Sequence, residues 1–182
     1  GISVASSVEA FSDSDYAKTM DIAMVDIKDA IGAFASSGGY TNTVNVEQFR
    51  QKTQEMLENF RGVMHALGMA QEEAAAMMGE LEAKKIATPS TMGSFVAGLQ
   101  VRSEAVGLAP TDLLATGFQA TELLKSFGYS PAAAFDFGID ATIEAQRLAN
   151  SADPYYKNAI YTMGGVQNAA QSLMQNTTAY DN

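Results

Sequence analysis

"LLKSFGYSPAAAFDFGIDAT", residues 123–142, interrupts an apolar run with Gly-Tyr-Ser-Pro and then resumes it. Nearly the same punctuation, "VGLAP", stands upstream at 106–110. Laying Gly107 on Gly128 aligns "GLAPTDLLATGFQATELLK" with "GYSPAAAFDFGIDATIEAQ", and Pro110/Pro131, Gly117/Gly138, Ala120/Ala141 and Thr121/Thr142 coincide. Glycine supplies the left-handed residue that closes one helix, Ala or Ser caps the next, and proline presets its first φ. The repeat of 21 residues leaves room for a helix of about four to five turns and a short corner. Residues 107–150 therefore read as helices folded back on one another, with a weaker echo in "LGMAQEEAAAMMG" at 67–79.

The rest of the chain reads the same way. Residues 1–13 are small and polar and are expected to form a flexible N-terminal arm. Tyr16, Met20, Met24, Ile27, Ile31 and Phe34 follow steps of three and four, so a first helix is expected from about Ser14 to the glycines of "SSGGY". Asn45 and Gln48 have the spacing of a capping box. They open a helix that carries Phe49, Met56, Phe60, Met64 and Leu67 and ends at Gly68. A third helix is expected over 71–85, with Glu72 and Glu73 at its positive end and Lys84 and Lys85 at its negative end. Thr88-Pro89 opens a fourth, with Phe95, Val96, Leu99 and Val106 as its core face. Pro110 and Pro131 open two more, and Pro154 opens a last one that runs through Ile160, Met163, Ala170 and Met174. Residues 177–182 are expected to fray. With no hairpin signal between alternating runs, the prediction is an all-α antiparallel helical-hairpin bundle of about seven helices over 14–176, with structural corners at Gly68, Gly107, Pro110, Gly128, Pro131 and Pro154.

Gly62, Gly79, Gly93, Gly98, Gly117, Gly138 and the pair Gly164-Gly165 fall inside these helices. Each costs about 1 kcal/mol relative to Ala. Close helix approach would offset that cost, as would a chain that must later unfold, and the Gly164-Gly165 pair is also a candidate kink.

Composition narrows the function. A net charge of −10 over 182 residues argues against general nucleic-acid binding, which needs a basic footprint. The absence of cysteine removes disulfides, thiol catalysis and Cys-based zinc sites. The longest purely apolar run is about "AAAMM" at 74–78, too short for a membrane-spanning helix. The chain opens on Gly1, as expected of a processed product or a piece of a longer protein.

The single histidine, His65, sits within the second helix, and no G-x-S-x-G accompanies it. "SDSD" at 12–15 lacks the Gly and closing Glu of an EF-hand loop, and neither phosphate-binding glycine motif occurs. Carboxylates are the remaining acid–base candidates, and Asp21, Asp26, Asp29, Glu72, Glu73 and Glu80 form the acidic groups that could face a partner. No catalytic, metal or cofactor residue is assigned. The ten methionines recur on the helical stripes and are expected mainly in the core.

"ATELLKSFGYSPAAAFDFGIDATIEAQRLAN" (120–150), "MGGVQNAAQSLMQNT" (163–177) and "MHALGMAQEEAAAMMGELE" (64–82) resemble segments of phage tail tape-measure proteins. The likeness lies in rhythm and composition: helices alternating with Gly-x-Ser/Ala turns, rich in Ala, Gly, Met and Gln. It implies a structural or ejected internal virion protein with no enzymatic activity and no cofactor. Its partners would be other virion proteins or copies of itself, in the particle or during assembly in the bacterial cytoplasm. Tape-measure chains are mostly long and coiled-coil-like, whereas this one breaks into short helices, which suits a compact domain or a matured internal head protein. Two other readings come from the residues alone. One is an acidic helical adaptor or inhibitor that docks a basic protein with salt-sensitive binding. The other is an enzyme with paired carboxylates across a cleft.

Overall fold

A computed structural model describes residues 24–181, with side chains placed for 27–176. The expected arm at 1–13, the helix start near Ser14, and Tyr16, Met20 and Asp21 lie outside the described residues, as do the side chains of Met24 and Asp26. Among the described residues the fold is all-α, without a strand. The helices are α1 (Met24–Ser36), α2 (Val46–Leu67), α3 (Gln71–Ala83), α4 (Met92–Val106), α5 (Pro110–Leu123), α6 (Pro131–Ala149), α7 (Pro154–Thr162) and α8 (Val166–Asp181). Short 3₁₀ turns cover Pro89–Thr91 and Lys125–Phe127. The chain divides into two compact units, 1–97 and 98–182, and the division falls inside α4.

The expected corners are present. Gly68, Gly107 and Gly128 have φ of 64°, 81° and 82°. At Gly107 the N–H of Leu108 bonds the Ser103 carbonyl (2.8 Å) and the N–H of Gly107 bonds that of Glu104 (3.2 Å), the paired bonds of a Schellman cap. Pro110, Pro131 and Pro154 each open a helix, and the side chains of Ser130 and Asp153 cap α6 and α7. At α2, Asn45 Oδ1 accepts the Gln48 N–H (2.8 Å), while Gln48 Oε1 reaches past the cap to the Val44 N–H (2.9 Å).

The structure corrects four boundaries. The expected last helix is two, because Gly164 and Gly165 both take positive φ (96° and 101°) and close α7 before α8 begins. With that break the described residues hold eight α-helices rather than about seven. α8 then runs to Asp181, where fraying was expected. α3 ends at Ala83 rather than Lys85, and Lys85 itself takes the left-handed conformation (φ 57°) usually left to glycine. Pro89 opens a 3₁₀ turn, and the α-helix starts three residues later.

In the first unit α1 packs on α3, and α3 on α2. Ile27, Ile31, Phe34, Phe49, Met56, Leu57, Phe60, Met78 and Leu81 are buried between them. Gly79 makes the α1–α3 approach possible, since a Cβ there would press far inside van der Waals contact on the Phe34 carbonyl oxygen. Tyr40 completes this core, stacked on Phe49 (4.3 Å between centroids) and edge-on to Phe34 (5.0 Å). Thr53 Oγ1 donates to the Phe49 carbonyl (2.7 Å), so in the 2.5 Å contact between the hydroxyls Tyr40 is the donor. Burial raises the Tyr40 pKa well above the ordinary tyrosine range.

An alkaline titration followed by tyrosinate absorbance should leave one phenol protonated until the chain unfolds, and Tyr40→Phe should remove that step. A folded-state pKa above the unfolded value gives stability that is complete below about pH 10 and lost as pH climbs further. Tyr40→Phe should also cost about 1 kcal/mol at neutral pH, measured by urea unfolding.

In the second unit α5 packs on α6, which also carries α7 and α8. The repeat explains the first of these contacts. A Cβ on Gly117 would run into the Phe135 ring, and one on Gly138 into Ala120 Cβ and the Thr116 carbonyl. Equivalent glycines of the two copies thus meet where α5 and α6 touch. Leu113, Leu114, Leu124, Ala134, Phe135, Ile139, Ala145, Ala170 and Met174 are buried around them.

Candidate interaction surface

The acidic residues singled out in the sequence do not share one environment. Asp29 on α1 and Glu72 and Glu73 at the start of α3 are exposed. Glu80 is half-buried and bonds Lys84 Nζ at 3.0 Å, one turn along α3. His65 is exposed, beside Arg61, Met64, Gly68 and Met69 around a shallow depression. No group of three or more His, Cys, Asp or Glu side chains among the described residues is placed to hold a metal ion. No helix among them is long and apolar enough to cross a membrane.

Two features were not foreseen from sequence. The first is an ion pair across α2 and α3. Lys52 Nζ lies 2.9 Å from Glu82 Oε1, and the two side chains are only 16% and 9% exposed. The pair forms part of the wall of an open cleft of about 300 Å³, to which Gln48, Gln51, Glu55, Thr88 and Ser90 also contribute. Glu82 falls on the buried side of α3 among Met78 and Leu81, and Lys52 is the cation that meets it there. Apart from Pro89, the residues lining the cleft are polar or charged, unlike the mostly hydrophobic and aromatic lining of small-molecule sites.

The second feature is the outer side of α7. Only Ile160 of this helix is buried. Successive helical residues turn by about 100°, so Tyr155, Ala159 and Met163 line one flank at steps of four, with Tyr156 beside them nearer the core. Tyr155 is 74% exposed, Tyr156 45% and Met163 42%. The two tyrosine rings meet edge-on at 5.3 Å. Tyr161, 85% exposed, stands with Lys157 on the opposite flank. The sequence reading placed Met163 on a core stripe with Ile160, Ala170 and Met174. The corner at Gly164-Gly165 separates it from the last two, and only those two reach the core through α8.

Charge sets this part of the chain apart. Between Asp153 and Asp181 the one charged residue is Lys157, so all 21 carboxylates lie outside residues 154–180. A surface depleted in charge and bearing Tyr and Met has the composition of a protein interface core. The described side chains of α8 continue it with exposed Gln167, Asn168, Gln171, Gln175 and Asn176. Comparison with family models, curated proteins and solved structures finds no match to the chain.

Proposed function

We propose that the chain is a non-enzymatic structural component of a phage virion, tape-measure-like or an internal ejected protein, and that it works by packing helix faces within an assembly. The observation that carries this reading is the Tyr155–Tyr156–Met163 flank of α7, where three large side chains stand exposed outside the core of their own unit. Such patches are interaction sites in soluble proteins. The resemblance of 64–82, 120–150 and 163–177 to tape-measure segments supplies the virion context. The adaptor reading draws instead on exposed Asp29, Glu72 and Glu73, and it requires a basic partner whose binding weakens with salt.

Mass spectrometry of purified particles of the phage that encodes the chain tests the proposal. The expected result is the chain at a fixed copy number per particle. Its presence in infected cells but absence from particles would contradict the reading.

A further inference from the structure

We infer that α7 is a strap latched by one side chain, Ile160, and that it releases from α6 and loses its helix while α5, α6 and α8 stay packed. The inference stands apart from the virion reading, since it needs neither a particle nor a partner.

Little holds α7 in place. Of residues 152–164 only Ile160 is buried, at 5% exposure. Among the described residues no ion pair or side-chain hydrogen bond joins Pro154–Met163 to α5, α6 or α8. The helix has nine residues, and helices below about 12–15 residues are marginal in water without tertiary support. Its sequence, PYYKNAIYT, adds little, because only Lys157 and Ala159 are strong helix formers.

The neighbouring helices do not need it. α8 packs directly on α6. Ala120 of α5, Ala134 and Ala145 of α6, and Ala170 and Met174 of α8 share one buried cluster, to which α7 adds Ile160 alone. The backbone ladders are also separate. The last bonds of α6 run from the N–H groups of Asn150 and Ser151, and α8 begins with the Ala169 N–H on the Gly165 carbonyl (3.0 Å). Melting α7 therefore breaks no bond of either ladder. Residues 150–165, once released, can span up to about 50 Å, so an open strap does not pull α8 from its seat. Elements with few buried contacts and exposed backbone bonds open at low free energy, ahead of the domain that carries them.

Amide hydrogen exchange of the full chain, read by mass spectrometry, tests this. Peptides covering 155–163 should exchange about a hundredfold or more faster than those of α5 and α6. Sub-denaturing urea should speed α6 and barely change α7, since opening α7 exposes little surface. Leu113 is buried in α5 outside the Ile160 cluster. Leu113→Ala should speed exchange in α6 by about thirtyfold or more and leave 155–163 unchanged. Ile160→Ala should erase the protection of 155–163 while α5, α6 and α8 stay protected. Exchange of 155–163 in step with α6, in urea or in Leu113→Ala, overturns the inference. So does an Ile160→Ala chain that loses protection in α5 and α6 as well. If Leu113→Ala fails to fold, the urea series on the unsubstituted chain decides alone.

Discussion

Gly79→Ala should destabilise the chain by about 2 kcal/mol or more, although alanine is the better helix former. On an open helix the exchange gains about 1 kcal/mol. Here the new methyl would sit far inside van der Waals contact of the Phe34 carbonyl oxygen, with Ser37 Cβ at 3.1 Å. The obstructing atom belongs to the α1 backbone, so no rotamer change relieves it. α1 must lift off α3, and overpacking of this kind costs about 1–3 kcal/mol or more. Gly138→Ala should behave alike, pressing on Ala120 Cβ and the Thr116 carbonyl between α5 and α6. Gly62→Ala is the contrast. Nothing lies within 4 Å of the Cβ it would add, so it should stabilise by about 1 kcal/mol. Urea unfolding of the three variants checks the set. Equal effects at all three positions would show that the interior glycines are not there for close approach.

Removing one partner of the Lys52–Glu82 pair should cost more than removing both. Lys52→Met leaves the Glu82 carboxylate beside Met78 and Leu81 with no counter-charge, and losses of about 3–5 kcal/mol follow when a fully buried pair is broken this way. The 16% exposure of Lys52 and the neighbouring open cleft admit some water, which places the expected loss below that range, at about 2–3 kcal/mol. Lys52→Met combined with Glu82→Leu should recover most of it, because an apolar pair of similar volume needs no solvation. A double-mutant cycle measures the coupling. If the two single losses simply add, the pair is not coupled and the cleft solvates each charge by itself.

These two effects mark what sequence could and could not deliver. The corners were legible because each is a local event. A glycine with positive φ and a proline at the first helical position act within four residues, and Gly68, Gly107, Gly128, Pro110, Pro131 and Pro154 could be read one by one. Close approach was legible as a reason for interior glycines. It holds at Gly79, Gly117 and Gly138 but not at Gly62 or Gly98, where nothing lies within 4 Å of an added Cβ. Which helix each would meet was not legible. Gly79 meets Phe34, 45 residues away, and nothing in the local pattern names that partner. Lys85 was missed because its left-handed backbone carries no compositional mark. Glu82 was missed because a carboxylate four residues after Met78 looks like a solvated face until α2 brings Lys52 over it. Methionine was read mainly as core, and Met56, Met77, Met78, Met92 and Met174 are buried. Met64 and Met69 are half-buried, and the exposed Met163 arises where the Gly164-Gly165 pair acts as a full corner rather than a kink. That break leaves an aromatic helix facing outward.

Photo-crosslinking during particle assembly tests the central claim most directly, with a photoreactive phenylalanine analogue at position 155 on the uncharged flank of α7 and, separately, at position 73 on acidic α3. The account predicts a strong crosslinked product from position 155 and little from position 73. A product from position 73 with none from position 155 would contradict it, and would place recognition on the acidic surface instead.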